Sequence, residues 1–316
     1  MTMKKLTAFK INENVTANDI INFIQDESNQ FHDYQTPLQL QTAGFTKFHD
    51  DSINDVVDIS NLLAIRYKIK EKVLPKNEIK EKVKEEVRRI KEQEKRNVSK
   101  KEEKSIKEQI TNEIVKQAFS KTSYVEIYFD FNRHIMFIDQ TSEKKYEQIF
   151  GAFLKSHDDE DMIRVELLPQ KIVSEKPFGS TIKQLIIEKW FDSDENNTEI
   201  VPTNKLTLEF IDDSEDGKTQ TISFKNINAR SEDIIQAATK GNRFVASAEF
   251  MLGEDTLFTL NEHLDIVSIK NAKIKAKFNP QEESLEEFLQ AQLIIEVNAI
   301  NAIYEQITSI LANPDE

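Results

Sequence analysis

The chain contains no cysteine. Disulfides, zinc–thiolate sites and thiol nucleophiles are therefore excluded, and the absence accords with a reducing, cytoplasmic setting. Only six glycines occur in 316 residues, and neither GxGxxG nor GxxxxGK[ST] is present, so no glycine-rich phosphate cradle is available. The five histidines, His32, His49, His134, His157 and His263, are scattered, and none has a second ligand at metal-site spacing on one helix. They read as ordinary surface or core residues. No apolar run approaches the roughly 18 residues of a spanning helix. Residues 1–10 carry Lys4 and Lys5 but no apolar segment, so no signal peptide is expected.

Two acidic runs imitate metal sites. Asp212, Ser214, Asp216 and Gly217 follow the opening of a calcium loop, but the twelfth position is Ser223 rather than Glu, which reads as an acidic turn. Asp158, Asp159, Glu160 and Asp161 read as a solvated charge run rather than a divalent-ion site. No set of residues suggests a nucleophile, base and oxyanion hole together. The expectation is a protein that is not an enzyme and needs no cofactor or metal.

Charge is distributed unevenly. The chain has 42 Lys+Arg against 56 Asp+Glu, a net of −14, yet residues 66–121 hold 19 basic and 11 acidic residues. That segment carries a surplus of eight positive charges and leaves −22 to the remainder. An acidic protein repels polyanions in general, so a positive segment of this size points to a partner that meets this region alone, most simply a polyanion.

The segment reads as a helical hairpin. Pro75 suits a first helical position, and Ile79, Val83, Val87 and Ile90 then recur at one-face spacing. Lys80, Lys84, Arg88, Lys91 and Lys95 form a second stripe about 100° round the helix. Asn97 and Val98 break the pattern, and Ser99 with Glu102 makes a capping box for a second helix. That helix turns Ile106, Ile110 and Ile114 inward and Lys100, Lys104 and Lys107 outward. Stripes this thin bury little, so packing against an identical hairpin as a four-helix bundle is expected. The alternative is a solvated face laced with i,i+4 ion pairs. Phe119, between Lys116 and Lys121 where the hairpin rejoins the sheet, is either a core anchor or an exposed contact.

Elsewhere the periodicities give an α+β chain of mixed sheets and packed helices, with the hairpin inserted between strands. Strands are expected at residues 6–11, 44–48, 62–70, 125–131, 135–138, 163–168, 206–210, 219–224, 244–251, 256–260, 266–276 and 291–297. Helices are expected after Thr16 or Asn18, after Ser142, at 181–190, after Ser231 up to Gly241, and at 299–311. The domain expectation is 1–72 with 122–160, a hairpin tip at 73–121, and 161–316.

The run VLPKNEIKEKV, the element SKKEEKSIKEQI and the exit KQAFSK, followed by residues 123–139 and 143–155, resemble the recombination-associated protein RdgC family. The likeness returns at 206–211, 231–241 and 258–269. The resemblance implies a ring-shaped homodimer, closed at the hairpin tips and at a gate, that encircles double-stranded DNA without sequence readout and restrains RecA-type recombinase filaments, nucleoid-associated in the cytoplasm. The tip contact then falls on Ile79, Val83, Val87, Ile90, Ile106, Ile110 and Ile114, and the gate aromatic on Phe119. The candidate phosphate contacts are Lys80, Lys84, Arg88, Arg89, Lys91, Lys95, Arg96, Lys100, Lys101, Lys104, Lys107, Lys116, Lys121 and Lys225. The chain departs from the family pattern at Glu103, Gln117 and Lys121, and it reads Lys225-Asn226-Ile227 where the pattern has Lys-Lys-Gln. A partner-protein surface on the hairpin is the alternative to DNA, and a metal-dependent nuclease using Asp158–Asp161 or Asp212–Asp216 the remote third.

Overall fold

In the computed structural model the described residues are 4–50, 54–154, 166–167, 200–211, 219–225, 236, 243–261, 263–272, 278–279, 281 and 283–312. Expectations at 168–199, at 212–218, at Asp158–Asp161 and for nearly all of the helix after Ser231 lie outside them, and the strand expected at 163–168 is described only at Glu166–Leu167.

The fold is α+β, with two sheets that are antiparallel wherever a register is defined. The first has the strand order β2 (Gln41–Thr46), β4 (Leu62–Lys72), β5 (Ser120–Asp130), β6 (Ile135–Ile138), β1 (Thr7–Lys10), β7 (Glu166–Leu167), with β3 (Val57–Ile59) pairing off β4. The second runs β12 (Ile266–Asn271), β11 (Thr256–Asn261), β10 (Arg243–Leu252), β8 (Ile200–Ile211), β9 (Thr219–Lys225). Helices α1 (Ala17–Gln25), α2 (Lys76–Glu94), α3 (Lys100–Gln117), α4 (Glu143–Leu154) and α5 (Leu285–Ala312) complete the described elements, together with a 3-10 turn at Glu27–Asn29. The hairpin α2–α3 stands between β4 and β5, as the sequence led one to expect.

The chain divides into two compact units. One comprises Met1–Phe23, Lys47–Ile65 and Glu126–Glu316, and the other Ile24–Thr46 and Arg66–Val125. The cuts fall within β4 and β5 themselves.

In the larger unit the strand period of two separates two apolar layers. Ala8, Ala64, Tyr128 and Phe137 enter one core with Leu208, Val245, Phe250, Phe258 and Leu260 of the second sheet and with Leu289, Leu293, Val297, Ile300, Ile303 and Ile307 of α5. Phe9, next to Ala8, instead meets Tyr146 and Phe150 of α4 at 5.3 and 4.8 Å between ring centroids. Phe153 of α4 stacks on Phe23 of α1 at 5.1 Å and meets Phe129, next to Tyr128, edge-on at 6.5 Å. Such edge and offset pairs are the favoured aromatic geometries.

The strand expected at 291–297 does not exist: those residues lie inside α5. The local cluster Leu293-Ile294-Ile295 resembles a buried strand, but burial at Leu289, Leu293, Val297, Ile300, Ile303 and Ile307 follows steps of three and four, the helical period. A capping box starts the helix. The Ser284 hydroxyl accepts from the Glu287 N–H at 3.2 Å, and the Glu287 carboxylate accepts from the Ser284 N–H at 3.0 Å. No helix among the described residues is long and apolar enough to cross a membrane.

Candidate nucleic-acid interface

The smaller unit carries the positive segment. Helix α2 starts one residue later than expected, with Pro75 as its N-cap rather than its first residue; the Pro75 carbonyl accepts from the Ile79 N–H at 3.0 Å. It ends at Lys95, whose left-handed backbone (φ 51°) stops the helix. The Arg96 guanidinium then donates to Glu94 at 2.6 Å and to Glu102 at 2.7 Å, closing the turn. These two carboxylates push the Arg96 guanidinium upward, and Arg96 with the Ser99 N–H holds the Glu102 carboxyl below its usual range. Ser99 caps α3, accepting from the Glu102 N–H at 3.2 Å, so the expected capping box is present.

Within the hairpin Ile79, Val83, Ile106 and Val115 are buried, whereas Val87, Ile90, Ile110 and Ile114 stay half-buried. The four half-buried residues are the part of the stripes left over once the two helices have met each other.

The two flanks of the hairpin differ. One holds a groove of about 470 Å³ lined by Lys82, Glu85, Glu86 and Arg89 from α2 and by Ile106, Gln109, Ile110 and Glu113 from α3. Its cations are paired: Lys82 with Glu78 at 3.0 Å, and Arg89 with Glu86 through Nε at 2.9 Å. Lys80, Lys84 and Lys91 turn the opposite way from the α2 apolar stripe, and Lys100, Lys104 and Lys107 do so from the α3 stripe. Antiparallel helices bring equal rotations out on the same side, so these six lysines share the face opposite the groove. All are exposed, and among the described residues only Lys104 has an acidic partner, Glu108, at 4.0 Å.

The remaining candidates are less concentrated. Arg88 sits on the back of α2, 3.8 Å from Glu92, and Lys95 and Lys101 are exposed around the hairpin turn. Lys116 and Lys121 are exposed at the base of the hairpin, and Lys225 is the exposed last residue of β9 in the larger unit. Phe119 is 88% exposed, which rejects the core-anchor alternative. Its carbonyl accepts from the Val73 N–H at 2.8 Å, while the Lys72 N–H donates to Leu40 at 2.8 Å. Val73 (54%), Leu40 (50%) and Leu38 (45%) are also exposed, giving an apolar patch at the hairpin base.

Arg66, Lys68, Lys70 and Lys72 of β4, counted in the charge of the positive segment but not among its candidate contacts, stand on one face of the strand over the rings of Phe31, Tyr34 and Tyr124. The signal was present as strict basic–apolar alternation. The rings, drawn from sequence positions 31–34 and 124, were not foreseeable from it. Among the described residues no group of three His, Asp or Glu is placed to hold a metal ion.

These features define a class: an α+β protein with a charged antiparallel helical hairpin, whose lysines gather on one face within an otherwise acidic chain. A family model described as "Putative exonuclease, RdgC" matches residues 1–313, and the chain belongs to the RdgC family. It is 21% identical over 211 residues to the "Recombination-associated protein RdgC" of Mannheimia succiniciproducens and 22% identical over 211 residues to that of Pasteurella multocida, each alignment covering 67% of this chain. The chain spans 64% of the length of these curated relatives in the match.

Proposed function

We propose that the protein binds double-stranded DNA without sequence preference and acts in recombination, as the relatives' names say of those proteins. The observation that carries this reading is the six-lysine face of the hairpin in a chain of net charge −14. Lysines on phosphates position a duplex without reading its bases. The half-buried residues Val87, Ile90, Ile110 and Ile114 support contact with a second copy, and the patch around Phe119 supports a second contact, as in a ring-shaped homodimer enclosing the duplex. In this reading the basic faces line the enclosure and the acidic remainder repels DNA from the outside. Restraint of a RecA-type recombinase would follow from occupying the duplex, and the reading includes no catalytic step.

Anisotropy of a labelled random duplex, titrated across a salt series, tests the reading, with light scattering on the same sample. Wild type should be a dimer whose logarithmic affinity falls steeply with logarithmic salt, by about 0.9 per phosphate contacted. The triple reversal Lys84→Glu, Arg88→Glu, Lys91→Glu should weaken binding to every sequence alike. An unchanged affinity and salt slope in that variant would remove the hairpin from the DNA surface and turn the reading toward a protein partner.

A further inference from the structure

Among the described residues Phe119 is the most exposed large apolar side chain, yet its backbone is held on both sides. Before it, the Ala118 N–H donates to the Val115 carbonyl at 3.4 Å and α3 ends in extended backbone. The same Val115 carbonyl accepts from Lys72 Nζ at 2.7 Å, and Lys72 also reaches the Pro37 carbonyl at 2.5 Å. Phe119 itself accepts from the Val73 N–H, a rung that joins the end of β4 to the start of β5. The ring is therefore not carried on a free loop. A fixed backbone holds it in water, beside the exposed side chains of Val73, Leu40 and Leu38. Burial of a phenylalanine stabilises a fold, so a ring fixed outside the core within an apolar patch points to a partner that covers it.

The charges around the patch narrow the choice of partner. Lys76 opens α2 three residues after Val73, Lys116 lies in the last turn of α3, and Lys121 follows Phe119 by two in β5. All three are exposed, and none has an ion pair among the described residues. Glu71, on the same strand face as Val73, is the one carboxylate of β4, and the lysines outnumber it. A ligand suited to this site combines a flat apolar face with anions on either side. A single nucleic-acid strand repeats that combination at every residue. In a duplex the base faces lie against one another and are closed to a side chain, so the ring needs an unpaired base.

We propose that Phe119 is a stacking site for an unpaired base of single-stranded DNA, with Lys76, Lys116 and Lys121 on the neighbouring phosphates. The ligand class rests on the DNA-binding reading above, and the apolar ring between unpaired lysines assigns the single-stranded form to this patch. Stacking accepts any base, because each has a π face. The site is separate from the six-lysine face, since helices α2 and α3 contain no aromatic residue. A second copy and a base cannot cover Phe119 together. Single strands and the second contact between copies therefore exclude each other.

The test uses the full chain, a labelled single strand of mixed sequence, the same strand made abasic throughout, and the random duplex. Thermal melts and light scattering accompany each variant. Wild type should bind the mixed strand about tenfold more tightly than the abasic one. Phe119→Ala should abolish that difference without changing the salt slope, and Phe119→Trp should keep it. Lys116→Gln with Lys121→Gln should instead lower the magnitude of the single-strand salt slope by about 1.4, at about 0.7 per phosphate. Loss of a contact between copies alone would weaken both strands and the duplex alike and keep the ratio of mixed to abasic affinity. That result for Phe119→Ala, or equal binding of the two strands by wild type, overturns the proposal. If wild type binds the duplex and no single strand, the stacking site falls and the DNA reading stands. If it binds neither at low salt, both fall together.

Discussion

Helix α5 and the α2–α3 hairpin are both long helical elements, and they use their residues in opposite ways. The 28 residues of α5 include no lysine or arginine and bury Leu289, Leu293, Val297, Ile300, Ile303, Tyr304 and Ile307. Helices α2 and α3, of 19 and 18 residues, bury only Ile79, Val83, Ile106 and Val115 and leave their other residues half-buried or exposed. Apolar area removed from water stabilises at about 25 cal/mol per Å², so the larger unit owes much of its stability to α5, and the hairpin adds little by comparison. What the hairpin gains is a rigid display of charge at fixed spacing. A helix that binds a partner needs its stripe only deep enough to stay formed, and the leftover stripe is itself available for contact.

The sharpest way to break this comparison is to truncate an aliphatic side chain to alanine in both places. Leu293→Ala should lower unfolding stability by about 2–5 kcal/mol, because the site is fully buried between a helix and two sheets. Val87→Ala, at a half-buried position of the hairpin, should cost less than about 1 kcal/mol. Both are read from denaturant midpoints at constant slope. Equal losses would mean that the hairpin stripe is packed as tightly as the core. Next in size is Gly44→Ala: the new Cβ would meet the Gln30 backbone at 2.5 Å, and displacing the Gln30–Phe31 backbone that crosses it should cost about 1–3 kcal/mol. Loss of protection at the Phe31 amide by hydrogen exchange would locate that cost, and an unchanged exchange rate would contradict the close approach.

How much of this was readable beforehand follows the same divide. The hairpin was legible to its capping box, because surface helices carry their period, caps and charges in local sequence. The strands at 125–131 and 135–138 were legible from alternation, and they pair. The end of the chain was not, since an all-apolar face loses the contrast that separates a strand from a buried helix, and Leu293-Ile294-Ile295 was read with the wrong period. Phe119 was legible as a special position but not as an exposed one, because burial depends on what the tertiary fold leaves around it. The cations of β4 were visible as alternation, but the rings of Phe31 and Tyr34 and the carboxylate of Asp33 beside them were not, because long-range packing brings them there.

A smaller effect sharpens the hairpin side. Ser99→Ala removes the side-chain acceptor of the Glu102 N–H and should cost about 1 kcal/mol, felt by α3. Faster amide exchange in the first turn of α3, with the larger unit unchanged, is the expected result. Exchange that rises throughout the chain would show the hairpin to be coupled to the core more tightly than its burial indicates.

The smallest effect concerns pH and contrasts the two regions by sign. Asp265 is 6% exposed, and burial raises its pKa, opposed by hydrogen bonds from Asn261 and Thr7 and by the charge of His263. Asp139 is raised for the same reason, against the N–H groups of Lys5 and Lys4. A carboxyl whose folded pKa exceeds its unfolded value of about 3.9 binds its proton more tightly in the folded state. Its contribution therefore favours folding at low pH and is lost as pH rises from the unfolded value through the folded one. Glu86 and Glu102 of the hairpin have the opposite shift, held down first by Arg89 and by Arg96, so their contributions vanish as pH falls through their lowered values. Asp265→Asn should then flatten the stability-versus-pH curve of the larger unit above pH about 4, leaving the acid-side loss of hairpin protection untouched. If the variant instead steepens the fall of stability with rising pH, Asp265 is ionised and stabilising in the folded protein, and its hydrogen bonds outweigh its burial.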